Sequence, residues 1–208
     1  MKKIKDILDE RITQTSDFKL NADEVYMEYL EELSEVLSKR GDSLVVNETN
    51  KRVLGQIVLW YTLDKRFKGD LRKGLMIRGN VGTGKTVIVK ALKELIRSKE
   101  GKNACFLHST ELQDLYVKDD QEGIQRAKLR DYTIIDDVGV ESTESKLYGN
   151  VKEPFNDVFD YRYRNDKITI ITTNLPPSEI KNTYGTRIID RFRECMNDLV
   201  LDGKSFRK

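Results

Sequence analysis

Residues 79–86 read GNVGTGKT and match the pattern GxxxxGK[ST]. The residue types suit one task, holding the phosphates of a nucleotide. Gly79, Gly82 and Gly84 permit tight turns, so that backbone N–H groups converge on phosphate oxygens. A helix starting near Lys85 aims its positive end at the same point. Lys85 reaches the β/γ-phosphates, and the Thr86 hydroxyl ligates Mg²⁺. The phosphate-binding set is Gly79, Asn80, Val81, Gly82, Thr83, Gly84, Lys85, Thr86 and Val87.

About 50 residues later, YTIIDDVG presents four mostly apolar residues followed by Asp136 and Asp137. A carboxylate at the C-terminal end of a buried parallel strand lies where ligands bind. Asp136 is the natural partner of the metal, through water. Asp137 is placed to polarise an attacking water as general base. An aspartate is shorter than the glutamate common at this point, so the water must sit closer or turnover is slow. Glu141 is a second carboxylate within reach. The plain alternative is an Asp-rich strand-to-loop turn. KITIITTN ends on Thr172, Thr173 and Asn174, where a polar group can position water or sense the γ-phosphate. An ordinary strand end before Pro176-Pro177 fits the same letters. In TRIIDRFRE, Arg187 and Arg191 stand at i and i+4 on one helix face. Arginine offers a permanent charge and a planar fork for phosphate. Pairing within the helix, for example of Arg187 with Asp190 or involving Glu194, is the competing reading.

The elements that must position these groups follow a clear rhythm. Strands are expected at 74–79, 104–109, 132–138, 167–174 and 198–203. Helices are expected at 22–40, 48–63, 86–99, across most of 110–130 and 145–164, and at 186–194. A weakly helical stretch is expected within 1–18. Asn21 and Glu24 fit a capping box ahead of the stripe Val25, Tyr29, Leu33, Val36 and Leu37. Strands alternating with helices imply an α/β fold, a parallel sheet covered on both faces. The division expected is a helical N-terminal appendage, 1–45, and a nucleotide-binding domain, 46–208.

Composition narrows the class. Apolar residues make up 38% and charged residues 35% of 208, with net charge +2. That is globular, with more charge than the usual quarter or so. No apolar run approaches the roughly 20 residues a spanning helix needs, so no membrane role is expected. MKKIKDILDE carries no apolar segment of a secretory signal. Cys105 and Cys195 lack CxxC spacing, which speaks against a zinc site and for a reducing cytoplasm. Charge is uneven: 61–102 holds 12 basic and 4 acidic side chains, while 1–50 holds 7 and 12. The basic block surrounds the phosphate loop and could also face a polyanion. His108 reads as structural, Trp60 as a core anchor on the nucleotide side, and Tyr116 either as packing or as a base-stacking group.

GNVGTGKT, IIDDVGVE, IITTNL and YGTRIIDRFRE together resemble the P-loop AAA+ ATPase core, and more narrowly the DnaC-like bacterial and phage helicase loaders and the related IstB-like transposition helpers. The resemblance covers about residues 50–206. It implies a five-stranded parallel sheet of order 5-1-4-3-2, with ATP and Mg²⁺ as cofactors. Asn174 becomes the first sensor, Arg191 an arginine finger acting in trans, and Arg187 the interface arginine before it. Residues 110–130 become a helical insertion near a DNA channel, and adenine falls near 44–57. The chain ends soon after its last strand, so no C-terminal helical lid or second-sensor arginine is expected. The implied function is an ATP-hydrolysing switch in DNA replication that self-associates through a shared ATP site and loads a replicative helicase on single-stranded DNA. An IstB-like helper on duplex DNA, a non-hydrolysing ATP-dependent module and a small P-loop kinase are the alternatives.

Overall fold

The structure, a computed structural model, describes residues 20–141, 145–147, 150–203 and 205–206. The weak helix expected within 1–18 lies outside the described residues. In chain order the elements are α1 (Ala22–Ser38), α2 (Glu48–Tyr61), β1 (Gly74–Arg78), α3 (Lys85–Glu100), β2 (Cys105–His108), α4 (Ser109–Val117), α5 (Gln121–Leu129), β3 (Tyr132–Val138), β4 (Ser145–Leu147), β5 (Asn150–Lys152), α6 (Pro154–Arg164), β6 (Ile168–Thr173), α7 (Pro177–Tyr184), α8 (Thr186–Cys195) and β7 (Met196–Val200).

Five strands form one parallel sheet in the order β2-β3-β6-β1-β7. Counted within that sheet this is 5-1-4-3-2, the order the resemblance implied. Strand residues alternate between two apolar layers, as the pleat requires. Leu75, Ile77, Ile134 and Ile170 face α1, α2 and α3. Met76, Ile135 and Ile171 face α4 to α8. Both faces are covered, which is why the central strands β3 and β6 read as nearly continuous apolar and β-branched runs.

Helix α1 begins at Asn21, whose side chain accepts from the Asp23 amide at 3.0 Å. Its buried residues Val25, Tyr29 and Leu33 share one apolar cluster with α2, α3 and the sheet. The Tyr29 hydroxyl donates to the Ile88 carbonyl at 2.8 Å, and Lys99 pairs with Glu28. Each such buried side chain stabilises the packing by about 1.5–3 kcal/mol.

Several elements differ from expectation. Residues 145–147 and 150–152 form the antiparallel pair β4–β5 instead of helix, and α6 starts at Pro154, whose missing N–H costs nothing in a first helical turn. Residues 177–184 form α7, where no element was expected, because Pro177 again opens a helix and Ile180 and Tyr184 bury. β7 starts two residues early, at Met196, since Asn197 Nδ2 donates to the carbonyls of Asp70 at 2.8 Å and Gly74 at 3.1 Å. Trp60 is fully buried, but its Nε1 donates to the Lys73 carbonyl at 2.8 Å. Lys73 precedes β1 and the phosphate loop follows it, so Trp60 anchors the end of the sheet away from the nucleotide. Tyr116 is also buried, with its hydroxyl on Asp157 at 2.5 Å, which excludes base stacking.

Arg162 is the largest structural surprise. It is wholly buried and donates to Thr169 Oγ1 and to the carbonyls of Ala127, Lys128 and Arg130. Burial lowers its pKa to about 10. Its fork thereby closes the C-terminal end of α5 and ties it to β6, satisfying carbonyls that no helix can satisfy itself.

Candidate functional site

The loop between β1 and α3 turns through left-handed backbone at Gly82 (φ 83°) and Gly84 (φ 94°), conformations that side chains with a Cβ rarely adopt. It lines a cleft of ≈ 1290 Å³ at the C-terminal ends of the strands. Lys85 is buried, and its Nζ donates to the carbonyls of Gly79 and Asn80 at 2.8 Å and to Asn174 Oδ1 at 2.6 Å. Thr83 Oγ1 donates to the Asn80 carbonyl at 2.9 Å and braces the loop from within. Thr86 and Val87 open α3 on the same cleft.

Asp136 and Asp137 both line that cleft. Neighbours on a regular strand point to opposite faces. Here β3 carries an extra residue: Ile135 pairs with Ile171, yet Val138 pairs with Thr173. Asp137 takes φ 55°, a left-handed conformation that aspartate tolerates better than most residues. This bulge brings two consecutive carboxylates to one site, and bulges are common beside functional groups. Thr172 locks it from β6. Its hydroxyl donates to Asp136 Oδ1 at 2.5 Å and accepts from the Asp137 amide at 2.8 Å. Ser109 Oγ donates to the Asp137 carbonyl at 2.8 Å from the other side. His108 Nε2 lies 3.5 Å from Asp137 Oδ2. His108 also caps α4, so the reading of it as structural captured only half its position. Nothing in the sequence around His108 signals the second half, because the contact crosses from β2 to β3.

Glu141 turns away from a reactive role. Its carboxylate accepts from the Gly139 amide at 2.9 Å and from the Tyr184 hydroxyl, whose pKa rises through burial and that nearby charge. Gly139 has φ 107°, and a Cβ there would meet Leu175 Cδ1 at 2.4 Å.

Arg187 and Arg191 stand apart from the cleft. Both pair with Asp160 on α6, rather than with residues of their own helix. The Arg187 side chain is 69% exposed and that of Arg191 only 18%, with its guanidinium 4.9 Å from the centre of the Tyr163 ring. Asp190 pairs with Arg193 at 3.0 Å. Of the basic residues closing α5, Lys128 is held by Asp157 at 2.8 Å. Sequence reasoning missed Asp160, Thr172's double role and Ser109, none of which belongs to a contiguous motif.

Mg²⁺ fits the donors present. Among the described residues no group of three or more His, Cys, Asp or Glu could hold a metal alone. One hydroxyl and one carboxylate, Thr86 and Asp136, border the phosphate cradle, the sparse protein ligation that Mg²⁺ accepts when phosphates and water complete its shell.

Among the described residues no helix is long and apolar enough to cross a membrane. No curated protein matches the sequence. Among solved structures, the chain is similar to the DnaC helicase loader, with 25% identity over 76% of this chain and 93% of that one and a TM-score of 0.60. It also resembles DnaI, at 19% identity over 80% of this chain and 89% of that one, TM-score 0.61. A third likeness, in fold, is to the replication initiator DnaA bound to AMPPCP and single-stranded DNA, at 22% identity over 75% of this chain and 48% of that one, TM-score 0.55. The family profile described as the bacterial DnaA ATPase domain matches residues 62–198, well over half of the chain. With its phosphate loop, acidic strand end and 5-1-4-3-2 sheet, the chain is a P-loop AAA+ domain, similar in structure to the DnaC helicase loader, and belongs to the bacterial DnaA ATPase domain family.

Proposed function

We propose that this domain is an ATP-hydrolysing switch of DNA replication whose active site is completed by a neighbouring copy, and that it loads a replicative helicase onto single-stranded DNA. The observation that carries the reading is the meeting of Lys85, Asn174, Asp136 and Asp137 in one cleft, with Lys85 bonded to Asn174 and with Thr172 tying Asp136 to Asp137. Lysine has three donors, and three oxygens fill them here. Bound phosphate replaces some of those oxygens, so that Asn174 senses the nucleotide through the ammonium it shares. Asp137, steered by Ser109, Thr172 and His108, accepts the proton of the attacking water. Thr86 and Asp136 would hold Mg²⁺, which would supply neutralisation of the phosphate charge.

Arg187 and Arg191 supply charge to a neighbour's ATP. Their position outside their own cleft supports that role, and so does the exposure of Arg187. Asp160 keeps Arg191 oriented until a triphosphate, a stronger anion, competes for it. The helicase-loading part rests on the likeness to the DnaC helicase loader, which spans 93% of that solved chain. The single-stranded DNA part rests on the DnaA relative solved with that ligand.

The test is ATP turnover per subunit across a protein concentration series, with single-stranded DNA, duplex DNA or neither. Turnover should rise with concentration and again with single-stranded DNA. Arg191→Ala should lower it by about 10³-fold or more, the scale of an arginine finger, while leaving ATP affinity within about twofold. Turnover per subunit that stays flat with concentration, or survives in Arg191→Ala, refutes the shared site. Stimulation by duplex DNA alone points to the transposition-helper activity instead.

A further inference from the structure

The chain beyond β7 returns to the phosphate loop and is bonded once just before it and once at its crest. The Leu201 amide donates to the Arg78 carbonyl at 2.8 Å, at the last residue of β1. The Leu201 carbonyl then comes so close to Gly79 that a Cβ there would stand 2.3 Å from its oxygen. Farther along, the Phe206 amide donates to the Gly82 carbonyl at 2.9 Å, at the crest of the loop. Phe206 is thus attached to the nucleotide cradle by its own backbone, while its side chain is 49% exposed and borders the cleft.

The company it keeps indicates what it awaits. Eight large apolar side chains are exposed among the described residues, and four of them, Val45, Val81, Val140 and Phe206, border this one cleft. Scattered exposed apolar residues need no explanation, but four on the lining of one cleft suit a ligand with an apolar part. Val140 follows the acidic pair in sequence. The other three come from the α1–α2 link, the phosphate loop and the chain after β7. Lys85, Asp136 and Asp137 deal with phosphates and metal, so the flat apolar part of a nucleotide is its base.

We propose that Phe206 is a base-contacting residue, packing its ring on the purine of the bound nucleotide with Val45 and Val81 completing the apolar wall. The backbone bond to Gly82 links base recognition to the loop that holds the phosphates. This deepens the nucleotide-site reading above and rests on it. A stacked ring favours purines through their larger surface and tolerates adenine and guanine alike.

Affinities of the full chain for ATP and for inorganic tripolyphosphate separate the possibilities, since tripolyphosphate probes the phosphate cradle alone. Phe206→Ala should raise the Kd for ATP about tenfold and leave that for tripolyphosphate unchanged, and Phe206→Tyr should restore ATP binding. Wild-type ATP affinity in Phe206→Ala overturns the assignment. So does an equal loss for both ligands, which makes the residue a prop for the loop. Lys85→Ala is the control and should weaken both ligands. If the unaltered protein binds neither ligand, the nucleotide site itself fails, whereas a site that needs Lys85 but not Phe206 refutes this proposal alone.

Discussion

Thr172 offers the sharpest test of how the acidic pair is held. The side chain is fully buried, and Thr172→Val preserves its shape while removing one hydroxyl. Two hydrogen bonds vanish: the one to Asp136 Oδ1 at 2.5 Å and the one from the Asp137 amide at 2.8 Å. Asp136 is itself only 2% exposed, so its carboxylate loses a donor that water replaces poorly. A hydrogen bond to a charged group is worth about 1.5–3 kcal/mol and an amide bond about 1 kcal/mol. The expected loss is therefore about 2.5–4 kcal/mol. For a chain of this size that lowers the Tm by about 5–16 °C. Urea and thermal unfolding of wild type, Thr172→Val and Thr172→Ser would measure it, with the serine variant recovering most of the loss. Because the bulge is what aims Asp137, turnover should fall more than ATP affinity. A Thr172→Val protein within about 0.5 kcal/mol of wild type would refute the reasoning, because it would mean that the bulge holds itself.

Two further predictions concern the periphery of the site. Asp160→Asn removes the charge that Arg191 and Arg187 share, and should cost about 2–3 kcal/mol by urea unfolding, mostly through the part-buried Arg191. The exposed Arg187 contributes little to that figure because water screens it. Gly79→Ala drives a Cβ against the Leu201 carbonyl, so the chain after β7 must move. Stability should fall by about 1–3 kcal/mol, and limited proteolysis should cut beyond Val200 faster than in wild type.

What was legible in the sequence was chemistry written in contiguous letters. The phosphate loop could be read because glycine positions and a following helix are local requirements, met within eight residues. The strands could be read because a strand buried on both faces needs an unbroken apolar or β-branched run, as in LMI of β1 or ITIITT of β6. Their order came with the resemblance rather than from the letters. The two short strands at 145–147 and 150–152 and the helix at 177–184 were illegible, since short elements carry little periodicity and Pro176-Pro177 reads as a strand end until Ile180 and Tyr184 find a core.

The sequence by itself determined which groups could handle a nucleotide: Lys85, Thr86, Asp136, Asp137 and Asn174 are set by motifs whose spacing is local. Only the tertiary structure decided how they meet. Whether Asp136 and Asp137 face one cleft depends on a bulge locked by Thr172, a residue on another strand. The arginines pair with Asp160, 27 residues from Arg187 in sequence, instead of within their own helix. Phe206 reaches Gly82 only because β7 lies beside β1. Each of these rests on contacts between distant residues, and in a parallel sheet neighbours in space are separated by whole helices in sequence, so no local pattern can encode them.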